Sequence, residues 1–83
     1  MAMVTLRYWA AAKEAAGVAE EAITAETLAG ALAAARGRDP RLQAVLARSS
    51  FLIDGEPAGT RAPDLVLLHE GAVIEVLPPF AGG

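Results

Sequence analysis

What most limits the folds open to this chain is the order in which its apolar periods change. Val4, Leu6 and Tyr8 alternate with Thr5 and Arg7, the two-residue period of a half-buried strand. Ala10 to Ala16 is then a run of strong helix formers, and Gly17 stands where a helix would stop in the C′ position. On that helix Trp9, Ala12 and Ala16 would share one face, with Trp9 as a core anchor. Val18 to Thr24 has only Ala22 and Ile23 as an apolar centre. It reads as a short edge strand, where Glu20 and Glu21 would discourage pairing with other chains. Thr24 or Ala25 begins a second helix, Glu26 suits its first turn, and Leu28, Leu32 and Ala35 recur at near-helical spacing up to Gly37. Asp39-Pro40 opens a third helix, because aspartate caps free amides and proline fits the first helical position. Leu42, Val45 and Leu46 give that helix an apolar face, and Arg48-Ser49-Ser50 ends it.

Strand signals take over from there. Phe51-Leu52-Ile53 runs into Asp54-Gly55, a hairpin turn, and Pro57, Gly59 and Pro63 leave the return arm short or irregular. Leu65 to Leu68 is apolar throughout, Glu70-Gly71 turns the chain, and Val73 to Leu77 is the last strand. Ile74 and Val76 would face the core and Leu77 the outer side of the sheet. Strand, helix, strand, helix, helix and then strands predicts an α+β fold, a mixed sheet of four to five strands with helices packed on one face. The last strand is short, β-rich and apolar, which places it centrally. One domain over residues 1–77 and a flexible tail over 78–83 account for the chain; no repeat, linker or low-complexity segment divides it. Met1 or Met3 would serve equally well as the natural start.

Composition narrows the functions. The 83 residues include no cysteine, so disulfides, thiolate metal sites and a cysteine nucleophile are excluded. His69 is the single histidine, which argues against an imidazole metal site. The formal charge is −3 and Lys13 is the single lysine, so nothing points to nucleic acid. No apolar run approaches the roughly 18 residues of a membrane span, and the N-terminal residues lack a signal-peptide pattern. The expectation is a cytoplasmic protein.

The tail carries the chemistry. Pro78-Pro79-Phe80-Ala81-Gly82-Gly83 follows the last strand with no polar linker. Two glycines lack any Cβ and make a strand thin enough for a narrow channel. The prolines favour an extended form that loses less entropy on threading. Six residues beyond Leu77 reach at most about 20 Å. The group at the end is the main-chain carboxylate of Gly83.

On these residues the chain resembles the molybdopterin synthase small subunit family, the MoaD-like ubiquitin-like sulfur carriers. The match is strongest where Gly71 is followed by Val73-Ile74-Glu75-Val76-Leu77-Pro78-Pro79-Phe80-Ala81-Gly82-Gly83. Tyr8-Trp9-Ala10 and Lys13-Glu14-Ala15-Ala16-Gly17 resemble the family's aromatic-alanine step and first helix. The chain departs from the family at Ala72-Val73, where an acidic pair is common, and at Ala12, where a larger apolar residue often stands.

The resemblance implies a ubiquitin-like β-grasp fold and a carrier cycle. An ATP-dependent activating enzyme would adenylate Gly83, and a sulfur donor would convert the acyl adenylate to a thiocarboxylate. The chain would then serve as the non-catalytic, sulfur-carrying subunit of a heterotetramer, two of each subunit, with the large synthase subunit. Sulfur would pass to a cyclic pterin phosphate in molybdenum cofactor synthesis. No cofactor is bound by the carrier itself; ATP is used by its activating partner. Gly83 and Gly82 are the reacting end, and Leu77, Pro78, Pro79, Phe80 and Ala81 are the candidate partner-binding residues.

Other readings stay open at this stage. Similar tails serve thiamine synthesis, cysteine synthesis and transfer-RNA thiolation; the segment Asp39 to Arg48, which thiamine carriers tend to lack, favours molybdopterin. A ubiquitin-like modifier or interaction module, joined to lysines by its terminal glycine, belongs to a different class. A stand-alone enzyme has no nucleophile, metal cluster or phosphate loop to support it. His69 reads as a turn or strand-end residue, and Arg36, Arg38 and Arg41 as a solvated cluster.

Overall fold

The structure is a computed structural model and describes residues 1–79; Phe80, Ala81, Gly82 and Gly83 lie outside the described residues. Five strands form one mixed sheet. They are β1 (Ala2–Tyr8), β2 (Glu20–Ala25), β3 (Ser50–Ile53), β4 (Glu56–Pro57) and β5 (Val73–Leu77), in the spatial order β2-β1-β5-β3-β4. β1 and β5 are parallel, with Tyr8 beside Val76; the other pairs are antiparallel. The last strand therefore holds the centre, as its apolar composition predicts.

Three short helices cover one face: α1 (Ala10–Ala16), α2 (Leu28–Ala34) and α3 (Pro40–Leu46). Each has a local cause. Gly17 closes α1 at φ 77, a left-handed conformation that costs glycine little. The Thr27 hydroxyl accepts the Gly30 N–H at 3.1 Å and caps α2. Asp39 accepts the Arg41 N–H at 2.8 Å, and Pro40 occupies the first turn of α3. The second helix thus starts later than Thr24 or Ala25, because those residues extend β2 against Ala2 and Met3. At Asp54 and Gly55, φ is 53 and 85, the pair of positive angles that a tight hairpin between β3 and β4 demands.

The core lies between the helices and the inner sheet face. Val4, Leu6, Tyr8, Ile23, Ile74 and Val76 come from the sheet; Ala12, Ala16, Leu28, Ala31, Leu42 and Leu46 come from the helices. Four of the buried positions in and just after the helices are alanines (12, 16, 31 and 35), so helix backbones approach closely. Of the three residues at which the chain departs from the family, Ala12 and Ala72 are fully buried and Val73 is partly buried on the outer face. The two alanines are packing residues here.

Trp9 corrects the sequence reading. It is 43% exposed while Ala12 and Ala16 are buried, so it is no core anchor. Its backbone is still extended (φ −118, ψ 151), so it continues the outward series Met3, Thr5, Arg7 rather than the inward face of α1. The apolar run from Leu65 to Leu68 also divides. After a short 3₁₀ turn (Pro63–Leu65), Val66 and Leu68 point inward, and Leu65 and Leu67 are exposed. A single bridge between Thr27 and Leu67 holds the segment.

Candidate functional site: the end of β5 and the outer sheet face

Among the described residues no element covers the sheet face opposite the helices, and its rows follow from the register. Arg7 lies beside Glu75, and Glu75 beside Leu52; Thr5 lies beside Val73, and Ser50 beside Leu77. Cross-strand partners point the same way, so these side chains share one surface. Leu52, Val73 and Leu77 are partly buried there. Trp9 closes the surface at the end where β5 finishes. Its indole N–H donates to Glu75 Oε1 at 3.1 Å, and the Arg7 guanidinium carbon lies 5.5 Å from its ring centroid, in cation–π range. The aromatic ring is thus fixed over the outer face by groups from two strands.

Leu77 lies on this face, as its alternation with Ile74 and Val76 predicts. Pro78 is partly buried and Pro79 exposed, directly beyond the strand. The expectations for Phe80, Ala81, Gly82 and Gly83 fall outside the described residues. What the sequence reading missed is the row Trp9, Arg7, Glu75 and Leu52. Counting parity one residue further along β1 would have placed Trp9 outward.

A second cluster ties the helical layer to the sheet. Tyr8 is buried, and its hydroxyl donates to Glu21 Oε2. The same oxygen accepts the Arg36 N–H at 2.8 Å, and Arg36 Nε donates to the Ala16 carbonyl at 3.2 Å. Arg36, in the turn between α2 and α3, fastens that turn to β2 and to the end of α1, although it stays exposed as the sequence led one to expect. Burial first, and the Glu21 carboxylate second, push the Tyr8 phenol far above its ordinary range. At the other pole, Asp54 accepts the Val73 N–H at 3.0 Å and pairs with His69 Nε2 at 2.5 Å. The Val73 amide, then His69, hold the Asp54 carboxyl below its usual value; Asp54 raises His69. His69 is a loop residue with a carboxylate partner, in keeping with its structural reading. Among the described residues no cluster of three metal-ligating side chains occurs, and no helix is long and apolar enough to cross a membrane.

The profile of the ThiS family matches residues 6–83. The chain belongs to the ThiS family. The architecture of this ThiS-family chain is that of the ubiquitin-like β-grasp sulfur carriers, which bears out the expected fold class and the resemblance. The small archaeal modifier protein 1 from Methanosarcina acetivorans superposes with a TM-score of 0.86 at 26% identity, over 100% of this chain and 98% of that one. In the complex of subunits 1 and 2 of the molybdopterin-converting factor from Helicobacter pylori 26695, the similar chain gives 0.69 at 26% identity, over 98% and 99%. The putative molybdopterin converting factor subunit 1 from Pyrococcus furiosus gives 0.78 at 20% identity, over 96% and 100%, a likeness of fold alone. No curated protein matches the chain.

Proposed function

We propose that this sulfur carrier holds sulfur as a thiocarboxylate on Gly83 and delivers it in molybdopterin synthesis, as the small, non-catalytic subunit of molybdopterin synthase. The observation that carries the reading is the outer face. An apolar surface of Leu52, Val73, Leu77 and Trp9 runs up to the strand end from which the Pro-Pro-Phe-Ala-Gly-Gly segment departs. A partner covering that face would receive the tail next to its own contact surface. Support for the pathway comes from the similar chain in Helicobacter pylori, which is found with subunit 2 of the converting factor, and from α3, the element that thiamine carriers tend to lack.

The chemistry follows from what a carboxylate lacks. Its leaving group would be oxide, so it is inert to sulfur nucleophiles. Adenylation by an ATP-dependent partner puts a phosphate-stabilised leaving group on the Gly83 acyl carbon, and sulfur attack replaces it. The two terminal glycines leave that carbon unshielded and let the end enter the activating enzyme and then the large subunit. Two loaded carriers are consumed per dithiolene, which suits a heterotetramer with two of each subunit. All of this takes place in the cytoplasm in this reading, and the carrier itself binds no cofactor.

The test is reconstitution. Carrier bearing the thiocarboxylate, mixed with the large synthase subunit and the cyclic pterin phosphate, is expected to yield the pterin dithiolene in a 2:1 ratio of carrier consumed to product. No product, with lysine adducts on other proteins instead, would favour a modifier. The specific observation behind that second reading is the likeness to the archaeal modifier protein.

A further inference from the structure

Five large apolar side chains stand exposed among the described residues, and two of them, Leu65 at 74% and Leu67 at 79%, share one short segment. Val66 and Leu68 alternate with them and are buried. The segment therefore gives one apolar side to the core and an equally apolar side to solvent. Neither exposed leucine lies on a strand of the sheet, so neither belongs to the outer face around Trp9.

One edge of this segment is paired and the other is open. Leu28 N–H donates to the Val66 carbonyl at 3.0 Å, and Leu68 N–H to the Glu26 carbonyl at 2.9 Å, on either side of the Thr27–Leu67 bridge. In that antiparallel pattern Leu67, one residue out of phase, turns its own N–H and carbonyl to the opposite edge. No described backbone group bonds to either of them. A strand laid along that edge completes two main-chain bonds and sets its side chains beside the leucines. The surroundings are acidic. Leu67 shares a groove of about 450 Å³ with Met1, Glu26 and Glu70, and Asp64 precedes Leu65. Glu70 Oε1 accepts the Met3 N–H at 2.9 Å, which fixes that carboxylate beside the groove. No lysine or arginine lines the groove, and the three carboxylates form no ion pair among the described residues.

We propose that the Leu65–Leu67 edge docks an extended segment of another protein in which apolar and basic residues alternate. Main-chain bonds at Leu67 hold the strand, its apolar residues pack on Leu65 and Leu67, and its basic residues meet Glu26, Asp64 and Glu70. Charge decides the occupant. A second copy of this chain, whose formal charge is −3, an anionic membrane and a nucleic acid would each set like charge against those carboxylates. The edge lies before the Val73 end of β5, and Leu77 is a strand's length further on, about 13 Å from Val73. A partner held at this edge leaves the outer face and the far end of β5 open, so both surfaces can be occupied together. The inference is independent of the sulfur chemistry proposed above.

The probe is a blocked peptide of about eight residues with alternating valine and lysine, titrated into the isotope-labelled full chain at neutral pH. Saturable binding is expected, with amide shifts centred on residues 26–28 and 64–70 and with slower hydrogen exchange at the Leu67 amide. The double variant L65S/L67S should bind at least about tenfold more weakly, with an unchanged melting temperature because both leucines are exposed. E26Q/E70Q should also bind more weakly and should lose less affinity than wild type between about 0.15 M and about 1 M salt. A peptide with glutamate in place of lysine should not bind. Absence of saturable binding, shifts centred on Arg7 and Trp9, equal binding of the glutamate peptide, or full affinity in L65S/L67S would each overturn the proposal. So would a dimer in sedimentation that L65S/L67S dissociates, which would give the edge to a second copy. Binding to phosphatidylglycerol vesicles that the same variant abolishes would give it to a membrane and overturn the proposal as well.

Discussion

Tyr8, the single tyrosine, shows how one side chain can belong to both the core and the surface layer. Its ring is buried with Leu6 and Val76, and its hydroxyl reaches Glu21 at the rim. Tyr8→Phe keeps the ring and removes the donor, so chemical denaturation should show a loss of about 1–2 kcal/mol. In the native protein no phenolate absorbance is expected until alkaline unfolding sets in, because burial and Glu21 both oppose ionisation. The His69–Asp54 pair sets a pH window. His69 is raised when folded, so its contribution is complete below its unfolded value near 6.5 and fades as pH rises through the folded one. Asp54 is lowered, so its contribution is complete above its unfolded value and fades as pH falls through the folded one. The pair is therefore strongest between about pH 4 and 6.5. Melting temperature should drift down slightly from pH 6 to 8.5 in wild type, and His69→Ala should flatten that slope. Neither cluster was legible in the sequence. Glu21 meets Tyr8 only through the β1–β2 register, and Asp54 meets His69 only when the β3–β4 turn folds beside the entry to β5.

At the scale of the elements, the sequence was most legible where a local signal decides the backbone. Gly17, Asp39-Pro40 and Asp54-Gly55 mark their helix ends and turn because each carries its own conformational preference. Trp9 and the start of α2 were harder, because pairing across the sheet decides them. Strand β2 gains Ala25 by pairing with Ala2, which moves the cap to Thr27. Thr27→Ala is expected to cost about 1 kcal/mol by chemical denaturation, since the Gly30 N–H loses its acceptor. Gly30→Ala should go the other way. An added Cβ would sit 3.4 Å from Thr27 Oγ1 and 3.7 Å from the Ala25 Cβ, ordinary contacts. Up to about 1 kcal/mol of helix propensity is then gained. Ala12 allows no such freedom. It is fully buried where α1 meets the sheet, so Ala12→Leu should destabilise the chain by about 1–3 kcal/mol.

The whole molecule is a two-layer sandwich with its helices on one side and a partly apolar face on the other. That asymmetry was legible as a fold class, because the order of periods admits little else for so short a chain. The partner surface was only half legible. Leu77 followed from strand parity, whereas Trp9 was drawn into the core by the helix face it would share with Ala12 and Ala16. Trp9→Ala and Leu77→Ser each remove apolar area from the uncovered face and little from the core. Binding to the large synthase subunit should weaken by at least about tenfold for an anchor residue, with little change in melting temperature. The most direct measurement for the central claim is the intact mass of the chain after incubation with its activating enzyme, ATP and sulfide. Exchange of one terminal oxygen for sulfur is expected in wild type and none in Gly83→Val, with both proteins folded. An unchanged mass in wild type under conditions where the enzyme consumes ATP, or equal sulfur uptake by Gly83→Val, would contradict the account.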